Sequence, residues 1–168
     1  MAGILITGAA NTEAYRLSRL IDASQVIFAD HQELPNFSKS SNQFVKISSG
    51  KAPSFAHELL TVCLDLGVDT VFALYKDEVM ALSEANVLFE EFGIKLMIPS
   101  VEWLSRNLDT QAYAHKNNLV VLDNGNIIGG SLSEILCPKN NLTGVFNWTC
   151  ENNSYRFTLF TIANVDIR

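Results

Sequence analysis

The residues best suited to binding a ligand follow the first apolar segment of the chain. Gly8 permits a tight backbone turn, and the free amides at the start of a following helix are suited to accept an anion. The turn lacks the further glycines of a dinucleotide fingerprint; it consists of Gly8, Ala9, Ala10, Asn11 and Thr12. Two interpretations therefore remain open: a phosphate-binding turn, or a structural turn in which Asn11 or Thr12 caps the helix.

Asp30 adds a second candidate for ligand binding. It ends the second apolar segment, about 20 residues after Gly8, where dinucleotide-binding folds carry the acid that binds a ribose hydroxyl. An acidic residue after a strand is also common in ordinary loops. The spacing therefore leaves both ribose recognition and a loop position open.

No other group of side chains has the spacing of a catalytic centre. His57 borders the apolar face of a predicted helix, which favours a packing or capping role, and His31 and His115 stand alone in polar segments. Asp77 and Glu78 suit the first turn of a helix, where the helix dipole favours negative charge. We therefore predict no catalytic residue, no metal site and no resident cofactor, with a nucleotide as the one candidate ligand of that kind.

The elements that must position these residues alternate between strand and helix. Helical apolar periodicity follows the first strand and recurs over residues 53–66 and 77–92, and Ser100 is suited to cap a short helix that ends near residue 108. Apolar runs predict strands at residues 4–7, 25–29, 44–47, 70–74 and 94–98. This alternation predicts right-handed crossovers and a parallel sheet that is covered on both faces. The polar residues 31–43 are the exception, and we expect a loop or a single helical turn there.

The last third of the chain has a different pattern. Apolar segments at residues 119–122 and 126–128 flank Asp-Asn-Gly, and segments at 145–150 and 155–162 flank Glu-Asn-Asn-Ser, so both pairs predict β-hairpins. The predicted fold class is α/β. A Rossmann-like, three-layer parallel sheet of about five strands occupies residues 1–108, and a small antiparallel β-hairpin unit occupies residues 109–168.

Ligands of open parallel sheets bind beyond the carboxyl ends of the strands, where the strand order reverses. In this chain that edge carries the first turn, the end of the second strand and the residues after the fourth and fifth strands. The predicted cleft consists of Gly8, Ala9, Asn11, Thr12, Asp30, Tyr75 and Ser100.

Composition restricts the partners. A formal net charge of -6 provides no field that would collect nucleic acid or anionic lipid, and no apolar stretch reaches the roughly 20 residues of a membrane helix. The start of the chain lacks secretory features, so we expect a cytoplasmic protein. Its three cysteines, Cys63, Cys137 and Cys150, are expected to be free buried thiols.

Residues 3–108 resemble the N-terminal domain that precedes the ATP-grasp fold, as in proteins similar to the carbamoyl-phosphate synthase large subunit. The resemblance lies in Ile-Leu-Ile-Thr-Gly-Ala, in Val-Ile-Phe-Ala-Asp and in Gly-Ile-Lys-Leu-Met-Ile-Pro-Ser. It implies a front domain that shapes the substrate side of an active site. In that family the module behind this domain binds ATP and magnesium and forms an acyl phosphate.

The later residues depart from that family. Asp109 is followed by Thr110 where relatives often carry a lysine, and the metal-binding Glu-x-Asn would fall on Thr161, Ile162 and Ala163. The residues after 108 are also fewer than an ATP-grasp module needs. The resemblance therefore implies a reduced relative that does not ligate substrates by itself, a front domain fused to a remnant hairpin unit. The alternative is an ordinary two-hairpin tail that covers an edge of the sheet.

These observations favour a non-catalytic domain that binds a small metabolite or a partner, such as a separately encoded ATP-grasp ligase. Self-association is a further expectation, because the edges of the hairpins need covering. Two alternatives remain open. One is a minimal NAD(P)-dependent oxidoreductase that uses Gly8 and Asp30, and the other is a metabolite-sensing regulatory domain.

Overall fold

The parallel sheet predicted from the apolar runs is present. The computed structural model describes residues 3–23, 25–34, 43–108, 118–130, 132 and 141–162. Five strands pair in the order β3-β2-β1-β4-β5, and every neighbouring pair is parallel. The strands are β1 (Gly3–Thr7), β2 (Val26–Asp30), β3 (Gln43–Lys46), β4 (Val68–Phe72) and β5 (Lys95–Leu96).

The helices agree with the sequence pattern except at the start of the second helix and in the segment predicted as one helix over residues 77–92. They are α1 (Thr12–Leu20), α2 (Phe55–Leu66), α3 (Lys76–Glu84), α4 (Asn86–Glu91) and α5 (Val101–Asn107). The prediction of a single helix over residues 77–92 is wrong, because the helix is interrupted at Ala85 and continues as a second helix. Alanine is the best helix former, so packing decides the break: Leu82 and Phe89 on either side are both fully buried.

Helix ends follow the expected chemistry at Gly67 and Ser100. Gly67 ends α2 with φ +67°, a conformation that glycine adopts without strain. Ser100 caps α5 by accepting a hydrogen bond from the Trp103 amide at 3.3 Å. Helix α2 begins at Phe55 after Ser54, so Pro53 precedes the helix instead of starting it.

Both predicted hairpins are present and form one antiparallel sheet in the order β7-β6-β8-β9. Asn124 and Gly125 turn the first hairpin with φ of 48° and 78°, as tight hairpin turns require. The predicted strand at residues 155–162 is too long, since the last strand ends at Leu159. The strands are β6 (Leu119–Asp123), β7 (Asn126–Gly130), β8 (Gly144–Glu151) and β9 (Ser154–Leu159).

The two faces of the parallel sheet are covered differently. Because side chains alternate along a strand, Leu5 and Val71 pack under α2 to α5, while Ile6 and Phe72 pack on the opposite face. Helix α1 and the antiparallel sheet together cover that second face; the residues that do so include Leu17, Val121, Val145, Phe160 and Ile162. The sheet is therefore covered on both faces, as predicted, and the hairpins provide part of the third layer.

Strand β6 is buried on both of its faces. Leu119 and Val121 join the core beneath the parallel sheet, and Val120 and Leu122 pack into a third cluster on the other side. That cluster also holds Phe146 and Phe157, with Trp103 of α5 in edge contact with Phe146 at 5.4 Å between ring centroids. Burial on both sides explains why β6 reads as a continuous apolar run.

Two expectations about single side chains are corrected. His57 is exposed and does not pack in the core. Cys63 is buried, as predicted, and burial raises the pKa of its thiol to about 12, whereas Cys150 is exposed because it lies near the end of β8. Cys137 and His115 lie outside the described residues. Among the described helices, none is long and apolar enough to cross a membrane.

The antiparallel sheet approaches α1 so closely that one glycine tests the packing. A Cβ atom at Gly129 would lie 2.5 Å from the backbone oxygen of Leu20. We expect Gly129→Ala to reduce the free energy of unfolding in urea by about 1–3 kcal/mol, the usual cost of overpacking. Asn126→Ala, at an exposed position of the same strand, should change it by less than about 0.5 kcal/mol. Equal effects of the two variants would contradict the close approach.

Candidate functional site

The strand order reverses between β1 and β4, so the crevice for a ligand should lie beyond the carboxyl ends of these two strands. The β1–α1 turn and the start of α3 flank this position. Five of the seven predicted site residues meet here: Gly8, Ala9, Asn11, Asp30 and Tyr75. Thr12 begins α1 next to them, and Ser100 lines a different cavity, described below.

Asp30 is fully buried and its carboxylate is occupied by groups of the chain itself. Oδ2 accepts a hydrogen bond from the Ala10 amide at 2.8 Å and one from the Tyr75 hydroxyl at 3.1 Å. Oδ1 accepts one from the Gln32 amide at 3.0 Å. A carboxylate therefore already binds an amide that a phosphate would need at the start of α1. We call Asp30, Tyr75, Asn11 and the Ala10 amide the Asp30 network.

Asn11 belongs to this network instead of capping the helix. It occupies the N-cap position of α1, yet its side chain makes no capping hydrogen bond. Its Nδ2 atom donates to the Tyr75 hydroxyl at 3.1 Å. The prediction that Asn11 caps α1 is thus wrong, because its side-chain amide is hydrogen-bonded to Tyr75 and not to the backbone of the helix.

The space above Gly8 is filled by a side chain from the end of the chain. Gly8 has φ +79°, and a Cβ atom there would lie 2.5 Å from Cδ1 of Ile162. Ile162 is held in place because its amide donates to the Leu74 oxygen at 2.7 Å, and it forms a parallel bridge with Tyr75. The turn that resembles a nucleotide-binding loop therefore meets an isoleucine.

Glu78 is the residue of this region that the sequence interpretation missed. It is fully buried, and its Oε2 atom accepts a hydrogen bond of 2.5 Å from the Thr7 hydroxyl. Burial raises the pKa of Glu78 to about 8, and the negative charge of Asp30 contributes in the same direction. The sequence signal for its burial was the helical spacing, because Glu78 lies four residues before Leu82 and so shares the buried face of α3.

Two further side chains border the Asp30 network. Burial, followed by the charge of Asp30, raises the pKa of the Tyr75 hydroxyl above its usual range. His31 places Nδ1 3.3 Å from Oδ1 of Asp30 and packs against the edge of the Tyr75 ring. Within the described residues, no group of three acidic, histidine or cysteine side chains could hold a metal ion.

An open cavity lies elsewhere, beside strand β5. It has a volume of about 610 Å³ and runs between α4, the chain from Gly93 to Val101, and the turn of the first hairpin. Its polar side chains include Ser100, Asn86, Asn124 and Thr143, and its apolar ones include Val87 and Val101. We call this cavity the β5 groove. Of the predicted site residues, Ser100 is the one that lines it.

Comparison with known proteins adds no assignment to this geometry. No protein-family model matches the chain, and no curated protein matches it in sequence. Function is therefore inferred from the contacts within the structure.

The buried carboxyl of Glu78 predicts a specific dependence of stability on pH. Its pKa rises from 4.5 to about 8 on folding, so the folded state holds an extra proton between these values and loses stability as the pH rises through them. Glu78→Gln removes this loss. We expect the stability of the variant relative to wild type to increase with pH across this window, by at most about 1.4 kcal/mol per pH unit.

Urea unfolding at several pH values measures this difference. Glu84→Gln, at an exposed position of the same helix, serves as the matched control and should follow the wild-type profile. A constant difference between Glu78→Gln and wild type over the whole range would show that Glu78 does not retain its proton on folding.

The contact between Gly8 and Ile162 predicts coupling between two substitutions. Gly8→Ala introduces strain at positive φ, worth about 1–2 kcal/mol, and adds the overlap with Ile162. In an Ile162→Ala background the overlap disappears while the strain remains. A double-mutant cycle of unfolding free energies should therefore give a coupling of about 0.5–3 kcal/mol. Additive effects would mean that the Ile162 side chain does not resist a Cβ atom at Gly8.

Proposed function

We propose that this chain is a non-catalytic binding domain that takes its ligand at the β5 groove and not at the strand-end crevice. The observation that carries the proposal is the occupation of the crevice. Ile162 fills the space above Gly8, and the Asp30 carboxylate binds the Ala10 amide. A dinucleotide at this position would have to displace Ile162 and take the Ala10 amide from Asp30, which would remove one hydrogen bond of a buried carboxylate at a cost of about 1–3 kcal/mol.

The β5 groove supports the positive half of the proposal. Ligand sites are commonly concave and mostly apolar with a few polar groups that fix orientation. The groove has this character, since exposed Val87 and Val101 lie beside the side chains of Asn86, Ser100 and Asn124. Its volume of about 610 Å³ falls in the range of small-molecule sites.

The resemblance to the domain that precedes ATP-grasp folds extends this proposal to partners. A domain of that kind would act beside a separately encoded ATP-grasp ligase and present a small metabolite or a surface to it. The parallel sheet is consistent with this role, because such front domains are Rossmann-like. Self-association through the edges of the hairpins belongs to the same proposal, with β7 and β9 as the outer strands.

NMR spectroscopy tests the location of binding directly. Titration of the labelled protein with millimolar NADH, NADPH or magnesium ATP should leave the amides of Gly8 and Ala10 unshifted. A library of small polar and apolar fragments should shift amides of Leu96 and Ser100 in the groove. Saturable nucleotide shifts at Gly8 and Ala10, abolished by Asp30→Asn, would contradict the proposal and favour the oxidoreductase alternative.

A further inference from the structure

Strand β5 is an edge of the parallel sheet, and one of its residues directs its N–H and C=O towards the groove. The parallel register pairs Leu96 with Val71, and the Met97 amide donates to the Val71 oxygen at 2.8 Å. In a parallel ladder the residues before and after Leu96 bond to Val71, so the N–H and C=O of Leu96 itself point away from β4. The N–H and C=O of Leu96 therefore point towards the β5 groove, which Leu96 lines.

The walls of the groove leave a channel along this edge. Helix α4 forms one wall with Asn86 and Val87, and the first hairpin forms the other with Asn124. Val87 is 67% exposed and Val101 is 50% exposed, so the groove offers apolar surface to the side chains of a ligand. The opposite wall is held in shape by the Asn124 amide, which donates to the Thr143 hydroxyl at 3.0 Å.

The charges of the groove do not cancel. Lys95 is already paired, because its Nζ atom lies 2.5 Å from Oδ2 of Asp123. Glu90 accepts a hydrogen bond from Asn86 at 2.7 Å, and no cation among the described residues pairs with it. A negative charge thus remains on the α4 wall, and the net charge of -6 acts in the same direction.

We infer that the β5 groove binds an extended peptide segment with basic side chains, which adds as a sixth strand beside β5. The inference rests on the proposed function and names the class of its partner. Edge backbone groups give a strand its main-chain hydrogen bonds, while groove walls select its side chains. A second copy of this chain is disfavoured as the occupant, because it would bring its own Glu90 and its own net negative charge.

Synthetic peptides test the inference. Three fluorescein-labelled peptides of about eight residues, an extended length of roughly 26 Å, are compared by fluorescence anisotropy. One alternates valine with lysine, one alternates valine with glutamate, and one repeats the first with N-methylated backbone amides. We expect saturable binding of the first peptide alone, with NMR shifts at the amides of Lys95, Leu96 and Val101.

A matched pair of charge reversals separates groove binding from bulk attraction. Glu90→Lys and Glu91→Lys change the net charge equally, and both positions are exposed on α4, but Glu91 does not line the groove. We expect Glu90→Lys to bind the valine–lysine peptide about tenfold more weakly than Glu91→Lys. Circular dichroism checks that both variants keep the helical content of the wild type.

Four outcomes would overturn the inference, and the fourth would overturn the proposed function as well. The first is equal binding by the two variants, and the second is unchanged binding of the N-methylated peptide. In the third, no peptide binds while small fragments still shift the groove amides, which leaves the proposed function in place. If neither peptides nor fragments shift these amides, both the inference and the proposed function fail.

Discussion

The burial of the Asp30 carboxylate is the constraint on which the strand-end region depends. A buried carboxylate without partners costs several kcal/mol, so each of its hydrogen-bond donors must stay in place. The donors come from three separate parts of the fold: the Ala10 amide before α1, the Gln32 amide after β2 and the Tyr75 hydroxyl after β4. Satisfying one charge therefore fixes the relative positions of three connections across the carboxyl end of the sheet.

The crevice at the end of the strands follows from the topology of the sheet and does not by itself indicate a ligand site. A parallel sheet with a reversal of strand order creates a crevice whether or not a ligand binds there. Here Asp30 substitutes for an external anion, and Ile162 fills the adjacent space. Glu78 completes the filling from α3, with a pKa raised by burial, so that the carboxyl groups of Asp30 and Glu78 both lie inside the molecule. The proposal therefore places the ligand elsewhere, at the β5 groove.

Local patterns were sufficient to predict most of the fold. Apolar runs located all five parallel strands, and Asn124-Gly125 located the first hairpin, because these signals act over a few residues. The break at Ala85 and the path of Ile162 could not be read in this way. Both depend on contacts between distant segments, such as the hydrogen bond from the Ile162 amide to the Leu74 oxygen.

The candidate site shows the same division. Asp30 and Tyr75 were placed at the correct edge of the sheet because strand ends locate them. The hydrogen bonds between side chains at this edge were not predicted. The pair Asn11–Tyr75 and the pair Thr7–Glu78 span 64 and 71 residues of sequence. The spacing of Glu78 and Leu82 on one helical face was the available signal for a buried acid.

Hydrogen exchange at the Ile162 amide tests the central claim, the closure of the strand-end crevice, most directly. This amide donates to the Leu74 oxygen inside the fold, so we expect it to exchange as slowly as amides of β1 and β4, with or without millimolar NADH or magnesium ATP. Exchange at the rate of an exposed backbone amide, or acceleration when either nucleotide is added, would show that the crevice opens to a ligand and would contradict the account.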